Sequence, residues 1–219
     1  MMRRERPILA QGENGGGRDR LARIARVIPR YCQALHMNET KPTNATNATI
    51  RPLNEEDAEA FQSMRLRAAE NDPQGIASTV HEIAQLTRAQ NEARIRVTGE
   101  QIVFAAFDGD ALVGIVGLLR EVRQKLAHKA LIWGVFVDPA RRGGGIAKKL
   151  MESAVNHARS IGVLQVQLVV SAQNPRAQAL YRSCGFVRYG VEPRGLCVNG
   201  EYIDDELMVL FLDDPAVPD

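Results

Sequence analysis

The stretch ALIWGVFVDPARRGGGIAKKLMESAVNHARSIG, residues 130–162, joins a strand to a helix through three consecutive glycines. Leu131 to Val137 is apolar and rich in β-branched and aromatic residues, and Asp138-Pro139 stops it because proline disfavours continuation of the ladder. Beyond the glycines, Ile146, Leu150, Met151, Ala154, Val155, Ala158 and Ile161 recur three and four apart, the signature of one buried helix face. Gly162 ends that helix. Between the two elements, Gly143, Gly144 and Gly145 remove Cβ atoms at the point where a helix start presents unpaired N–H groups and a partial positive charge. Arg141 and Arg142 add cationic charge suited to a diphosphate. A plain connecting turn is the competing reading. A nucleotide-hydrolysing P-loop would need Gly-Lys-Ser/Thr where Gly145-Ile146-Ala147 stands, and a dinucleotide fingerprint would need a small residue at Lys148.

The flanking sequence alternates strand and helix signals. Thr49 to Leu53 reads as a strand, Asn54 with Asp57 as a capping box, Ala58 to Ala69 as a helix and Ile76 to Asn91 as a less regular helical region. Ile102 to Phe107 and Leu112 to Leu119 flank Asp108-Gly109-Asp110, a hairpin signal. Downstream, Val166, Leu168 and Val170 mark a strand. Asn174-Pro175 opens a helix with Ala177, Leu180, Tyr181 and Cys184 on one face, ended by Gly185. Phe186 to Tyr189 and Tyr202 to Leu212 close the chain as strands. The order is that of a mixed α/β domain with hairpins first and a strand, helix, strand crossover in the middle.

Composition bounds the rest. The 219 residues are 45% apolar and 25% charged, enough for one globular domain with its own core. No apolar run approaches the roughly 20 residues of a membrane span, and no secretory leader opens the chain, so a cytoplasmic protein is expected. The formal charge is +2, but residues 1–36 hold eight arginines against Glu5, Glu13 and Asp19. The remainder carries 20 basic against 23 acidic side chains, which argues against a nucleic-acid-binding face. Cys32, Cys184 and Cys197 are an odd set without CxxC spacing, so neither a disulfide framework nor a metal site is indicated. Residues 1–48, with GENGGGRDR and TNATNAT, read as an extension of little fixed structure preceding a domain over 49–219. An organelle transit signal and a start at Met37 are both compatible with the extension, and the sequons at Asn44 and Asn47 lack a secretory context.

Arg142-Gly143-Gly144-Gly145-Ile146-Ala147 fits the pattern Arg/Gln-x-x-Gly-x-Gly/Ala. Asn174 to Phe186, NPRAQALYRSCGF, fits Asn-x-x-Ala-x-x-Leu-Tyr-x-x-x-Gly-Phe. With both in this order, the chain resembles the GNAT superfamily of N-acetyltransferases over about Thr49 to Leu212. The resemblance implies a central, mostly antiparallel sheet with a splayed parallel strand pair and flanking helices. It implies acetyl-CoA as co-substrate, its pantetheine arm paired along Val135, Phe136 and Val137 like an added strand. Arg142, Gly143, Gly144, Gly145, Ile146 and Ala147 would hold the diphosphate through main-chain N–H groups, and Asn174 would contact the cofactor near the thioester or simply cap its helix. Tyr181 is implied as the general acid that meets the departing thiolate.

The resemblance leaves two matters open. Many relatives place a Glu on the strand before the phosphate loop as base, and Leu131 to Val137 has none. His128, Glu121 and the Asp204, Asp205, Glu206 run are the nearest alternatives by sequence, with water alone as another. The acceptor, a small-molecule or protein amine, would be chosen by the segments without motifs: Gln74 to Arg96, Glu121 to Lys129 and Val191 to Asp204. Trp133 and Phe136 could line its pocket or the core. A catalytically weak acyl-CoA sensor is the rival reading, and a basic amino-terminal arm touching nucleic acid or membrane a third. A homodimer through the closing strands is compatible with such folds.

Overall fold

A computed structural model describes residues 48–213. The expectations for the extension at 1–48 fall, apart from Ala48, outside them. Among the described residues a seven-stranded sheet runs in the order β1-β2-β3-β4-β5-β7-β6. Its strands are β1 (Thr49–Pro52), β2 (Gln101–Asp108), β3 (Ala111–Arg120), β4 (Lys129–Val137), β5 (Gln165–Ser171), β6 (Val187–Val198) and β7 (Glu201–Phe211). All neighbours are antiparallel except β4 and β5, which the crossover helix α4 (Ile146–Ser160) makes parallel. Helices α1 (Ala58–Asn71), α2 (Val80–Ala84) and α3 (Arg88–Ile95) connect β1 to β2, and α5 (Pro175–Ser183) connects β5 to β6. No helix among the described residues is long and apolar enough to cross a membrane.

Strand alternation divides the core between the two faces of the sheet. Ile102 and Ala106 of β2 join Leu150, Met151, Ala154 and Ala158 of α4 on one face. Val103 and Ala105 join Phe61, Met64 and Ala68 of α1 and Ile95 of α3 on the other. A fault in this alternation lies at the centre of β4. Ile115 of β3 pairs with Phe136 and Gly117 with Trp133, so Gly134 and Val135 together face Val116 alone. Gly134 adopts φ +63°, which glycine supplies without strain. The extra residue inverts the sides of the strand: Ile132 packs with α4, whereas Phe136, four residues on, packs with α1. Trp133 and Phe136 therefore share one face.

Two segments depart from the sequence expectation. Ile76 to Asn91 is two short helices, because Thr79 with Glu82 and Thr87 with Gln90 each form a capping box, and each cap contributes about 1 kcal/mol. The strand expected over Phe186 to Tyr189 is β6, which continues to Val198 and returns through Asn199-Gly200 into β7. Both turn residues have positive φ, 52° and 86°, the turn that Asn-Gly favours in a two-residue hairpin.

Candidate active site

The site forms where β4 and β5 part. β4 pairs with β3 almost throughout, but with β5 only at Lys129 to Leu131, while β5 stays on β7 as far as Ser171. Among the described residues the β5-facing edge of Ile132 to Val137 is thus left without a strand partner, and the Gly134 bulge adds twist at the start of the gap. An open strand edge can accept an extended, amide-bearing chain by backbone pairing.

The glycine loop closes one end of the gap. Gly143 and Gly145 both hold left-handed conformations, φ 87° and 80°, that a side chain would strain. Gly145 caps α4 with no side-chain hydrogen bond, and the helix ladder begins with Lys149 N donating to Gly145 O, 3.1 Å. The N–H groups of Ile146 to Lys148 therefore have no acceptor within the helix, and Gly145 brings no side chain to cap them. The loop is tied down from behind. Asp138 caps the turn at Ala140 N and pairs with Arg67 of α1 at 2.6 Å, while Arg141 pairs with Asp108 at 2.9 Å. Arg142 turns back, its Nε donating to Val137 O at 2.8 Å and its guanidinium lying 5.4 Å from the Phe136 ring. Its side chain holds the loop to the strand.

A cavity of about 640 Å³ spans the gap. Val135, Phe136, Val137, Arg142, Gly143, Gly145, Ile146, Ala147, Asn174 and Tyr181 all line it. Gly144 does not line it; it lies between the two left-handed glycines. Asn174 is a helix cap, its Oδ1 accepting from Ala177 N at 3.1 Å, and its Nδ2 donates to Asp72 at 3.1 Å, so capping and cavity lining coincide. Tyr181 is 7% exposed and stacks edgewise on Phe186, ring centroids 6.2 Å apart. Burial, reinforced by Asp72, pushes its phenol well above the ordinary tyrosine range, so it stays protonated at any physiological pH.

The base candidates sort by position. His128 lies at the closed end of the parallel pair, its carbonyl accepting from Leu164 N and Gln165 N, and Glu121 pairs with Arg123; neither lines the cavity. The same holds for all of Glu121 to Lys129, which leads into the paired end of β4, away from the gap. On β7, Asp204 accepts from Arg194 N at 2.8 Å and Glu206 pairs with Arg182 and Arg188. Asp205, between them, lines the cavity, is 6% exposed, and among the described residues its Oδ1 has no hydrogen-bond partner. A bulge in β6 is built against it: Arg194 takes φ 57°, and a Cβ on Gly195 would stand 2.5 Å from Asp205 Oδ2. Burial, then Glu192 and Asp204, raise the Asp205 carboxyl above the usual carboxylate range.

Asp72, Ser171, Arg176 and, most tellingly, Arg65 line the cavity without having been singled out in the sequence. Arg65 of α1 is 6% exposed, lines the cavity, and stands in the apolar stripe of Phe61, Met64 and Ala68. A charged residue at a buried helical position was the available signal. Ile76, Ala77 and Ser78 of the loop after α1, Arg94 of α3 and Leu196 of β6 complete that side.

A parted parallel pair with an uncapped helix start and a buried tyrosine in one cleft defines an α/β protein shaped for an extended ligand with an anionic end. The family model described as acetyltransferase (GNAT) family matches residues 64–186, and the chain belongs to that family. The spermidine N(1)-acetyltransferase of Vibrio cholerae is 28% identical over 103 residues, 47% of this chain and 60% of that protein. The N-alpha-acetyltransferase RimI of Mycobacterium tuberculosis is 39% identical over 95 residues, 43% of this chain and 58% of that protein. The chain thus spans less than two thirds of either relative. A GNAT-family acetyltransferase from Streptococcus pneumoniae superposes with TM-score 0.67 at 24% identity, covering 76% of this chain and all of that one. The phosphinothricin acetyltransferase of Sinorhizobium meliloti, solved with acetyl-CoA, gives 0.66 at 22%, covering 78% and 92%. These structures establish the shared fold.

Proposed function

We propose that this chain transfers an acetyl group from acetyl-CoA to a primary amine by direct attack, with Tyr181 as general acid and Asp205 as proton acceptor. One observation carries the reading: the uncapped start of α4, the open edge of β4, Tyr181 and Asp205 all line the same cavity. Acetyl-CoA supplies an activated acyl thioester. Main-chain N–H groups of Gly143 to Ala147 would receive its diphosphate, and the edge at Val135 to Val137 its pantetheine amides. Asp205 would draw an ammonium into the cavity and take its proton, leaving the nitrogen lone pair to form the C–N bond as the C–S bond breaks. Tyr181 would give its phenolic proton to the departing sulfur and recover one as the acylated nitrogen sheds its second proton, so the products are the amide and the free thiol of coenzyme A. The missing carboxylate on β4 is the motive for a sensor reading, and a buried carboxylate entering from β7 supplies what that strand lacks. The relatives bear the names of a spermidine N(1)-acetyltransferase and an N-alpha-acetyltransferase, which accords with an amine acceptor.

Thiol release from acetyl-CoA with a panel of amines tests this. Tyr181→Phe is expected to lower kcat by about 10²-fold or more, the usual size of a lost general acid, with acetyl-CoA affinity unchanged. Unaltered kcat in that variant would remove Tyr181 from the chemistry.

A further inference from the structure

We propose that the acceptor is an amine that also carries a carboxylate, an amino acid rather than a polyamine, with its carboxylate held by Arg65 and Arg94. The proposal rests on the acyl-transfer reading and narrows its substrate class.

Arg65 is the observation that calls for an explanation. Its guanidinium cannot shed its proton, yet it is more than nine-tenths buried and, among the described residues, its Nη1 meets no hydrogen-bond partner. Nη2 reaches only a neutral hydroxyl, Ser78 Oγ at 3.3 Å, and the nearest ring, Phe61, lies 5.9 Å from Cζ. No described carboxylate forms an ion pair with it, and Arg94 adds a like charge. Neighbouring arginines behave otherwise: Arg67, two residues on, is paired with Asp138. A buried cation beside a second cation, both lining a cavity, is a costly arrangement unless an anion enters. Arginine is also the residue whose planar fork matches a carboxylate.

The phosphate end of the cavity does not account for this pair. Arg65 and Arg94 come from α1 and α3, whose core lies on the face of the sheet opposite α4. The cradle cations Arg142 and Lys148 come from the loop and α4 itself. The carboxylates on the cavity wall are Asp72, bonded to Asn174, and Asp205 on β7. An acceptor with an ammonium for Asp205 and a carboxylate for Arg65 and Arg94 answers both unmatched groups. A polyamine would bring a second cation toward the arginines. Ile76, Ile115, Trp133 and Leu196 offer apolar wall for a side chain between them.

The test uses the full chain, acetyl-CoA, the twenty L-amino acids, their amides and spermidine, with acetyl-CoA binding followed separately by thermal shift. At least one free amino acid should exceed its own amide by tenfold or more in kcat/KM. Arg65→Met should raise KM for the free acid at least tenfold while leaving kcat within a few-fold and the amide unaffected, and Arg65→Lys should recover part of the loss. Arg94→Gln, on an exposed residue, should do the same to a lesser degree and carries the test if Arg65→Met fails to fold. Equal or better turnover of amides or spermidine, no acetylation of any amino acid, or an unchanged KM in both variants overturns the proposal. If acetyl-CoA binds and uncharged amines react, only this proposal falls; if acetyl-CoA does not bind, the acyl-transfer reading falls with it.

Discussion

Asp205 ties the stability of the fold to pH. Its carboxyl is raised above the ordinary range because burial and the neighbouring Glu192 and Asp204 penalise its charged form. In the unfolded chain it titrates near the usual aspartate value, about 3.9. Between that value and the raised native one, the folded state binds more protons than the unfolded, so stability from this group falls as pH rises. At neutral pH the buried Asp205 carboxyl therefore costs the fold stability. Asp205→Asn, nearly isosteric against Gly195, should therefore raise Tm at pH 7 while abolishing most turnover. The gain should shrink toward zero as pH is lowered to about 4. A variant less stable than the parent at pH 7 would show that the carboxylate has a partner in the resting state. Little of this was legible in the sequence, where Asp204, Asp205 and Glu206 look alike. The pairing of Asp204 with Arg194 N and of Glu206 with Arg182 and Arg188 separates them, and those contacts depend on register between distant strands. Tyr181, by contrast, sits in a local pattern of helix cap, apolar stripe and terminating glycine, all readable within thirteen residues of sequence.

At the scale of elements, the Gly134 bulge and its neighbour Gly117 set the wall of the cavity. Trp133 lies over Gly117 so closely that a Cβ there would stand 2.1 Å from Trp133 Cε2. The bulge then turns Phe136 onto the same face as Trp133. Gly117→Ala should expel the indole, with an overpacking cost of about 1–3 kcal/mol. Because the chain has one tryptophan, its fluorescence reports this directly. The emission of Gly117→Ala should move to longer wavelength with a lowered Tm, and an unshifted spectrum would mean that the ring is free to slide aside. Local chemistry predicts elements well here: Thr79, Thr87 and Asn174 all cap the helices that follow them. The Asn199-Gly200 turn was equally local, and it lengthens β6 by bringing Val191 to Val198 alongside β7, a segment otherwise readable as an acceptor loop. Bulges are less legible, since Gly134 and the Pro193 to Gly195 irregularity change side-chain alternation only in relation to a partner strand.

Across the whole molecule, parted strands, glycine loop and α5 converge on one cavity, so a ligand there would add contacts to two segments that the described residues leave incomplete, the β4 edge and the α4 start. The open β4 edge lacks a strand partner, the α4 start lacks a cap, and Arg67-Asp138 and Arg141-Asp108 hold the loop in place without ligand. A ligand that binds the native state alone stabilises it by mass action, about 2.7 kcal/mol at one hundred times its Kd. For a domain of this size each kcal/mol shifts Tm by about 2–4 °C, so saturating acetyl-CoA should raise Tm by roughly 5–10 °C. Coenzyme A should give most of that shift, because diphosphate and pantetheine contacts do not involve the acetyl group. NAD should give little, since Lys148 stands where a dinucleotide fold needs a small residue. Gly145→Val should reduce the acetyl-CoA shift, because it strains a φ of 80° and places methyl groups at the helix start. A shift with NAD as large as that with acetyl-CoA, or none with either, would mean that the helix start does not receive the pantetheine diphosphate.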